Sequence, residues 1–372
     1  METANTYTQD MLVRICKREN NTKRTYLVMN PMQGKHIAVS PTNALELFKA
    51  LENVVEEFYD DLTNTLFIGF AETATAIGAQ VALSANAKYI QTTREIIPDV
   101  QYLFFSEVHS HATELKLVKE DIDSVIKKID RIIFVEDEVT TGNTILNIIN
   151  VIRKTYPDTN VKFGVASILN GMTDEHLAKY SDEGIDLHFL VKTDHSKYSD
   201  IAAALTADGD YIVPSNTKAD WNNIYEISGY MNSRRLVGAD KYLDACNNLW
   251  NEFFEKHGEN FGKNVLVVGT EEFMYPALFL GSKIEKCGSV VKCHSTTRSP
   301  IAVGKSSDYP VHTRYELKSM YDENRTTYLY DIGSYDEVFV ITDSDNISPI
   351  GENSLYSALS QNNNNIVLIK WR

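Results

Sequence analysis

The chain is poor in cysteine. Cys16, Cys246, Cys287 and Cys293 are its only four, and none forms a CxxC pair, which leaves little material for a disulfide framework or a zinc site. Isolated thiols in a large acidic chain point to a reducing, cytoplasmic setting. Long apolar runs are missing too. None approaches the ~20 residues that cross a bilayer, and the polar stretch Met1 to Asp10 has no signal-peptide core. Positive charge is scarce: 36 Lys and Arg face 51 Asp and Glu, a net charge of −15. That balance argues against a general nucleic-acid or anionic-membrane surface. There is no GxxxxGK[ST] phosphate loop. The nearest string, Gly304-Lys305-Ser306, has Ser299 where the first glycine would stand.

What is present is an ordinary globular composition, 43% hydrophobic over 372 residues, enough for roughly two or three domains. Short apolar strands alternate with helical patterns. Thr65 to Phe70, Lys88 to Thr92, Tyr102 to Phe105, Ile132 to Val135, Val161 to Ile168 and Ile185 to Val191 read as strands. Helices are expected from Pro41, from the turn after Phe70, near Lys119 and near Asp174. This alternation implies a doubly wound, mostly parallel α/β sheet, whose ligands sit at the carboxyl ends of the strands.

The most informative stretch is Ile132-Ile133-Phe134-Val135-Glu136-Asp137-Glu138-Val139-Thr140-Thr141-Gly142-Asn143-Thr144. An apolar strand runs into acids, then into a small hydroxyl-rich turn with a glycine, then into a helix. Backbone N–H groups at such a helix start form an anion cradle, and the acids can accept bonds from a diol. A plain solvated turn with Thr141 or Asn143 as a cap accounts for one hydroxyl residue only. Three further signals lie at strand ends. Gly69-Phe70-Ala71-Glu72-Thr73-Ala74-Thr75 is a tight strand-to-helix turn. Thr92-Thr93-Arg94 carries a guanidinium suited to phosphate oxygens. Ser106 to Glu114 is a polar segment with His109 and His111. Those two histidines and a Glu could also be read as a metal site, but no further His–Cys cluster joins them, and no protein-only metal site is expected.

On these residues the chain resembles the type I phosphoribosyltransferases, whose signature is four apolar residues, two acids, two apolar residues and a small or hydroxylic loop around a glycine. Glu138 departs from it, an acid at a usually apolar position. The resemblance implies that Glu136 and Asp137 hold the ribose hydroxyls of phosphoribosyl pyrophosphate. It implies that Thr140, Thr141, Gly142, Asn143 and Thr144 bind its 5′-phosphate. Ala71, Glu72, Thr73 and Arg94 would bind the pyrophosphate with Mg²⁺. A loop carrying His109 or His111, with Lys116 as runner-up, would close over the reaction.

A closer resemblance is to a subfamily with a C-terminal domain named for a Thr-Arg-Ser-Pro string, here Thr297-Arg298-Ser299-Pro300. Members of that group are associated with bacterial tellurium-resistance and stress gene clusters. The expected organisation is a phosphoribosyltransferase domain over 1–205, a linker or peripheral layer over 206–240, and a second α/β domain over 241–372.

That second domain reads as a worn copy of the first. Val267-Val268-Gly269-Thr270-Glu271-Glu272, Thr296-Thr297-Arg298 and Phe339-Val340-Ile341-Thr342-Asp343 repeat in order the three strand-end motifs of the first half, without the Thr-Thr-Gly loop. Thr297 and Arg298 are therefore an expected second anion site.

The function expected is transfer of a phosphoribosyl group to an unknown base or small acceptor. The alternatives are a sensor of the donor or a nucleotide, and an enzyme running the reverse pyrophosphorolytic reaction. Partners are the donor and the acceptor, and a homo-dimer is allowed for. The acceptor would be chosen by segments such as Tyr26 to Val39, where Lys35 and His36 read by default as solvated loop residues.

Overall fold

The structure is a computed structural model and describes residues 7–19, 24–105 and 115–372. It divides into two units, each built from several segments. One comprises Leu45–Thr193 and Met231–Ala245. The other comprises Tyr7–Ala44, Asp194–Tyr230 and Cys246–Arg372.

The first unit is organised on a six-stranded sheet in the order Val237–Gly238, Lys88–Gln91, Thr65–Gly69, Arg131–Val139, Lys162–Asn170, Ile185–Lys192. All neighbours are parallel except the short edge strand Val237–Gly238, which runs antiparallel to Lys88–Gln91. The central strands are apolar on both faces, as a doubly covered parallel sheet requires. Thr65–Gly69 is buried throughout, and so are Ile132 to Val135. Parallel neighbours need crossovers, and Thr75–Ser84, Asn143–Thr155 and Asp174–Asp182 are the helices between successive strands. Asn143–Thr155 shows the usual logic. Ile145, Leu146, Ile148, Ile149 and Ile152 are buried at helical spacing, while Arg153 and Lys154 sit in the last turn, where the helix dipole favours cations. An antiparallel pair, Tyr102–Phe104 with Lys116–Val118, flanks residues 106–114.

The second unit holds an all-parallel five-stranded sheet in the order Asn223–Ile227, Ile366–Trp371, Glu337–Thr342, Asn264–Gly269, Val290–Ser295. One face of it packs Leu266, Val268, Val338, Val340 and Leu368 with Leu355 and Leu359 of the helix Pro349–Leu359. A second core gathers Cys16, Met29, Val303, Tyr309 and Tyr330. Residues 206–240 contain paired strands: Asp210–Ile212 beside Thr313–Lys318, Asn223–Ile227 beside Ile366–Trp371, and Val237–Gly238. They are short and mostly exposed, so they carry little of the apolar patterning that marks a strand in sequence.

Among the described residues, no helix is long and apolar enough to cross a membrane. All four cysteines are free. Cys16, Cys246 and Cys293 are buried, and burial pushes each of these thiols up.

Candidate active site

Three adjacent strand ends of the first unit build the site. After Gly69 the chain turns through residues 70–74 before the helix Thr75–Ser84. Hydrogen bonds tie the strand end and the turn to their neighbours. Phe70 N–H donates to the Val135 carbonyl (3.0 Å), Thr92 N–H donates to the Gly69 carbonyl (2.9 Å), and Ala71 N–H donates to Thr92 Oγ1 (2.8 Å). The Ala71–Glu72 peptide is cis. Strand and helix approach closely because glycines face each other: a Cβ on Gly78 would lie 2.8 Å from Gly69 Cα. The N-cap position belongs to Ala74, whose side chain makes no capping bond. Thr73 therefore does not cap the helix. Its Oγ1 donates instead to Asp137 Oδ1 at 2.9 Å, joining this turn to the acidic strand end.

The strand Arg131–Val139 is longer than its apolar run suggests. Parallel pairing of Glu136 with Ser167 and Glu138 with Leu169 keeps the acids inside the strand. Asp137 lies between them at the opposite phase of the pleat. Glu136 is held well above the usual carboxylate range. Burial is the main cause and the Asp137 carboxylate adds to it, while the Arg94 guanidinium opposes both. Arg94 thus acts electrostatically on Glu136 from the end of the strand Lys88–Gln91. Thr93, just before it, exchanges backbone bonds with Lys116 (2.9 and 3.1 Å), and Lys116 Nζ lies 3.5 Å from the Arg94 carbonyl.

Beyond Val139, Thr140 and Thr141 lead into Gly142, whose φ of +70° is the left-handed conformation glycine favours. Gly142 is the N-cap of Asn143–Thr155 and has no side chain of its own for the first-turn N–H groups, of which Asn143 N–H donates to Thr141 Oγ1 at 3.4 Å. Thr141 and Asn143 are exposed. From the following helix, the Tyr180 hydroxyl donates to the Gly142 carbonyl at 2.7 Å. Burial and then the Glu136 charge push the Tyr180 phenol up, so it keeps the proton it donates. A Cβ on Gly142 would meet Tyr180 Oη at 2.2 Å.

These elements bring the expected residues to the carboxyl ends of three adjacent strands: Arg94 beyond Lys88–Gln91, Ala71, Glu72 and Thr73 beyond Thr65–Gly69, and Glu136 and Asp137, then Thr140 to Thr144, at the end of Arg131–Val139 and beyond it. His109 and His111 lie outside the described residues. Thr297 and Arg298 belong to the second unit. Sequence reasoning named Thr92 within a strand-end signal but not its role as acceptor for Ala71, and it missed Tyr180 as the support of the glycine turn, which nothing in the local pattern marks. Lys35 and His36 are buried, and Lys35 Nζ donates to the carbonyls of Glu271 (2.6 Å) and Thr296 (3.0 Å), so both differ from solvated loop residues. Among the described residues, no group of three or more His, Cys, Asp or Glu side chains is arranged to hold a metal ion.

Residues 12–195 match a family described as phosphoribosyl transferase, and residues 240–359 match the TRSP domain that lies C-terminal to it. The chain belongs to this phosphoribosyl transferase family. It is thereby a glycosyltransferase-type enzyme with a TRSP domain behind the transferase domain. No curated protein matches the chain.

Solved structures similar to about half of this chain include the following. APRTase from Giardia lamblia, complexed with 9-deazaadenine, has 15% identity and a TM-score of 0.34, covering 50% of this chain and 95% of that one. Adenine phosphoribosyl transferase from Trypanosoma brucei, in complex with AMP, pyrophosphate and ribose-5-phosphate, has 15% identity and a TM-score of 0.35, covering 49% and 76%. Orotate phosphoribosyltransferase from Aeropyrum pernix has 17% identity and a TM-score of 0.32, covering 52% and 94%.

Proposed function

We propose that the first unit transfers a 5-phosphoribosyl group from phosphoribosyl pyrophosphate to a base or small acceptor. The observation that supports this best is the order of groups across these three strand ends. A turn and a guanidinium suited to pyrophosphate come first, a carboxylate pair suited to a diol comes second, and a helix N-terminus suited to a phosphate comes third. The donor presents the same three groups in the same order. In this reading Thr140 to Thr144 take the 5′-phosphate, Glu136 and Asp137 take the ribose hydroxyls, and Ala71, Glu72, Thr73 and Arg94 surround the pyrophosphate. The Thr73–Asp137 bond then couples leaving-group turn to ribose site.

Pyrophosphate departs from C1 with the bonding electron pair, positive charge develops on the ribose ring, and a nucleophile attacks from the opposite face. Arg94 opposes the growing negative charge, and the carboxylates stabilise the ring. Mg²⁺ fits here because it binds through one or two carboxylates together with substrate phosphate oxygens. When bound, it neutralises charge on the leaving pyrophosphate. His109 and His111 are proposed to serve the reaction from the 106–114 segment.

The test is pyrophosphate release from the donor with a panel of bases and small amines. Asp137→Asn should reduce turnover at least ~100-fold, the scale of losing a group that stabilises transition-state charge, with the fold retained. Full activity in that variant would remove the assignment. Donor binding without turnover for any acceptor would favour a sensor, and pyrophosphate-dependent release of a base would favour the reverse direction.

A further inference from the structure

The second unit repeats the donor-site framework contact by contact. Thr296 N–H donates to the Gly269 carbonyl (3.0 Å) and Thr296 Oγ1 accepts from Glu271 N–H (3.0 Å), as Thr92 does with Gly69 and Ala71. Thr297 pairs with Tyr328 of an antiparallel hairpin, as Thr93 pairs with Lys116. Gly269 stands opposite Ser295 and Ile341 in register, as Gly69 stands opposite Gln91 and Val135. The correspondence makes Arg298 the counterpart of Arg94, Glu271 of Ala71, and Asp343 of Asp137.

Each place where the first unit would meet a part of the donor is taken, in the second, by a side chain of the protein. At the pyrophosphate position, the Glu271 carboxylate lies 2.8 Å from Arg298 Nε and 3.1 Å from Arg325 Nε, and Ser319 Oγ donates to it. Glu271 is 1% exposed and has φ of +50°. A non-glycine residue there costs roughly 1–2 kcal/mol, which these charge-assisted bonds can offset. At the diol position, Asp343 accepts from the Tyr321 hydroxyl (2.6 Å) and from the Tyr230 hydroxyl (2.5 Å), one on each carboxylate oxygen. At the phosphate position, the helix Pro349–Leu359 has Ser348 as its N-cap, whose side chain accepts from Gly351 N–H at 3.2 Å. The matching helix of the first unit has Gly142 there.

We propose that the C-terminal unit is a second copy of the donor-binding half, locked by internal stand-ins for the ligand: Glu271 for pyrophosphate, the Tyr321 and Tyr230 hydroxyls for the ribose diol, and the Ser348 hydroxyl for the 5′-phosphate. The anion that Arg298 meets is thus the protein's own. Which ligand group each side chain replaces rests on the donor reading of the first unit. That Glu271 fills an anion site does not.

Calorimetric titration of the full chain with inorganic pyrophosphate tests it. The Glu271→Ala chain should bind one pyrophosphate more than the wild type. If the donor reading of the first unit is wrong, the counts become one and none, and the difference of one survives. Equal stoichiometry in the two folded chains overturns the inference. A Glu271→Ala chain that folds only in the presence of pyrophosphate supports it. Wild-type crystals soaked in pyrophosphate should show no ligand between Arg298 and Arg325, and a ligand displacing Glu271 there overturns it.

Discussion

At the scale of single residues, Glu136 carries the clearest consequence. Its carboxyl is raised above the ordinary range, by burial first and by Asp137 second, with Arg94 opposing. A raised carboxyl binds its proton more tightly in the folded chain than in the unfolded one. It therefore favours the fold at low pH, and that contribution is lost as pH rises from the ordinary carboxylate range through the raised value. Glu136→Gln removes the penalty. It should raise the midpoint of thermal unfolding at pH 8 by a few degrees, with the gain gone near pH 4, while donor binding weakens. Scanning calorimetry across pH checks the sign, and a gain that persists at pH 4 would contradict it. Tyr180 offers a second test. Tyr180→Phe deletes the bond to the Gly142 carbonyl and little volume. It should raise KM for the donor severalfold with a smaller effect on kcat, because the residue holds the Gly142 turn, proposed to take the 5′-phosphate, and does not touch reacting atoms.

At the scale of elements, the decisive piece is the strand, turn and helix from Arg131 to Thr155. The turn works because Gly142 accepts a left-handed φ and leaves room for Tyr180. Gly142→Ala should cost about 1–2 kcal/mol for the backbone alone, more for the collision with the tyrosine hydroxyl, and should abolish donor binding. Gly184 is the control. It also has a positive φ, of +65°, but a Cβ there meets nothing within 4 Å. Gly184→Ala should show a similar backbone cost with catalysis intact, measured by urea unfolding and steady-state kinetics. This element was also the most legible in sequence. The apolar four, the acids and the Thr-Thr-Gly run are contiguous, so local chemistry alone displays them. Their placement within the strand was not legible, because it depends on pairing with Lys162–Asn170. Nor was the Thr73–Asp137 bond, which joins residues far apart in sequence.

At the scale of the whole molecule, the α/β architecture follows from alternating apolar strands and helical patterns. Its division into units does not, because each unit borrows segments from distant parts of the chain. The strands of 206–240 are short and mostly exposed, and the buried Lys35 donates to carbonyls of Glu271 and Thr296 that a local reading cannot see. The second unit carries its own pH signature. Burial lowers His257, but its bond to Glu337 at 2.9 Å and its contact with the Gly258 carbonyl outweigh that and leave the imidazole raised. A raised histidine stabilises the fold fully below its unfolded value of about 6.5, and the contribution is lost as pH rises through the folded value. Hydrogen exchange in the strand Glu337–Thr342 should therefore quicken, after correction for intrinsic rates, as pH rises from 6. Glu337→Gln should flatten that dependence. An unchanged slope would contradict it.

The central claim, that the acids after Val135 and the turn around Gly142 hold one donor molecule, is open to a direct measurement. Phosphoribosyl pyrophosphate with Mg²⁺ is titrated calorimetrically into the wild-type chain and into a folded Glu136→Gln, Asp137→Asn double variant. The account predicts one donor per wild-type chain, and binding at least ~100-fold weaker in the variant, about 2.8 kcal/mol, as expected when hydrogen bonds to two charged groups are lost. No saturable binding to the wild type, or equal affinity in the two chains, would contradict it.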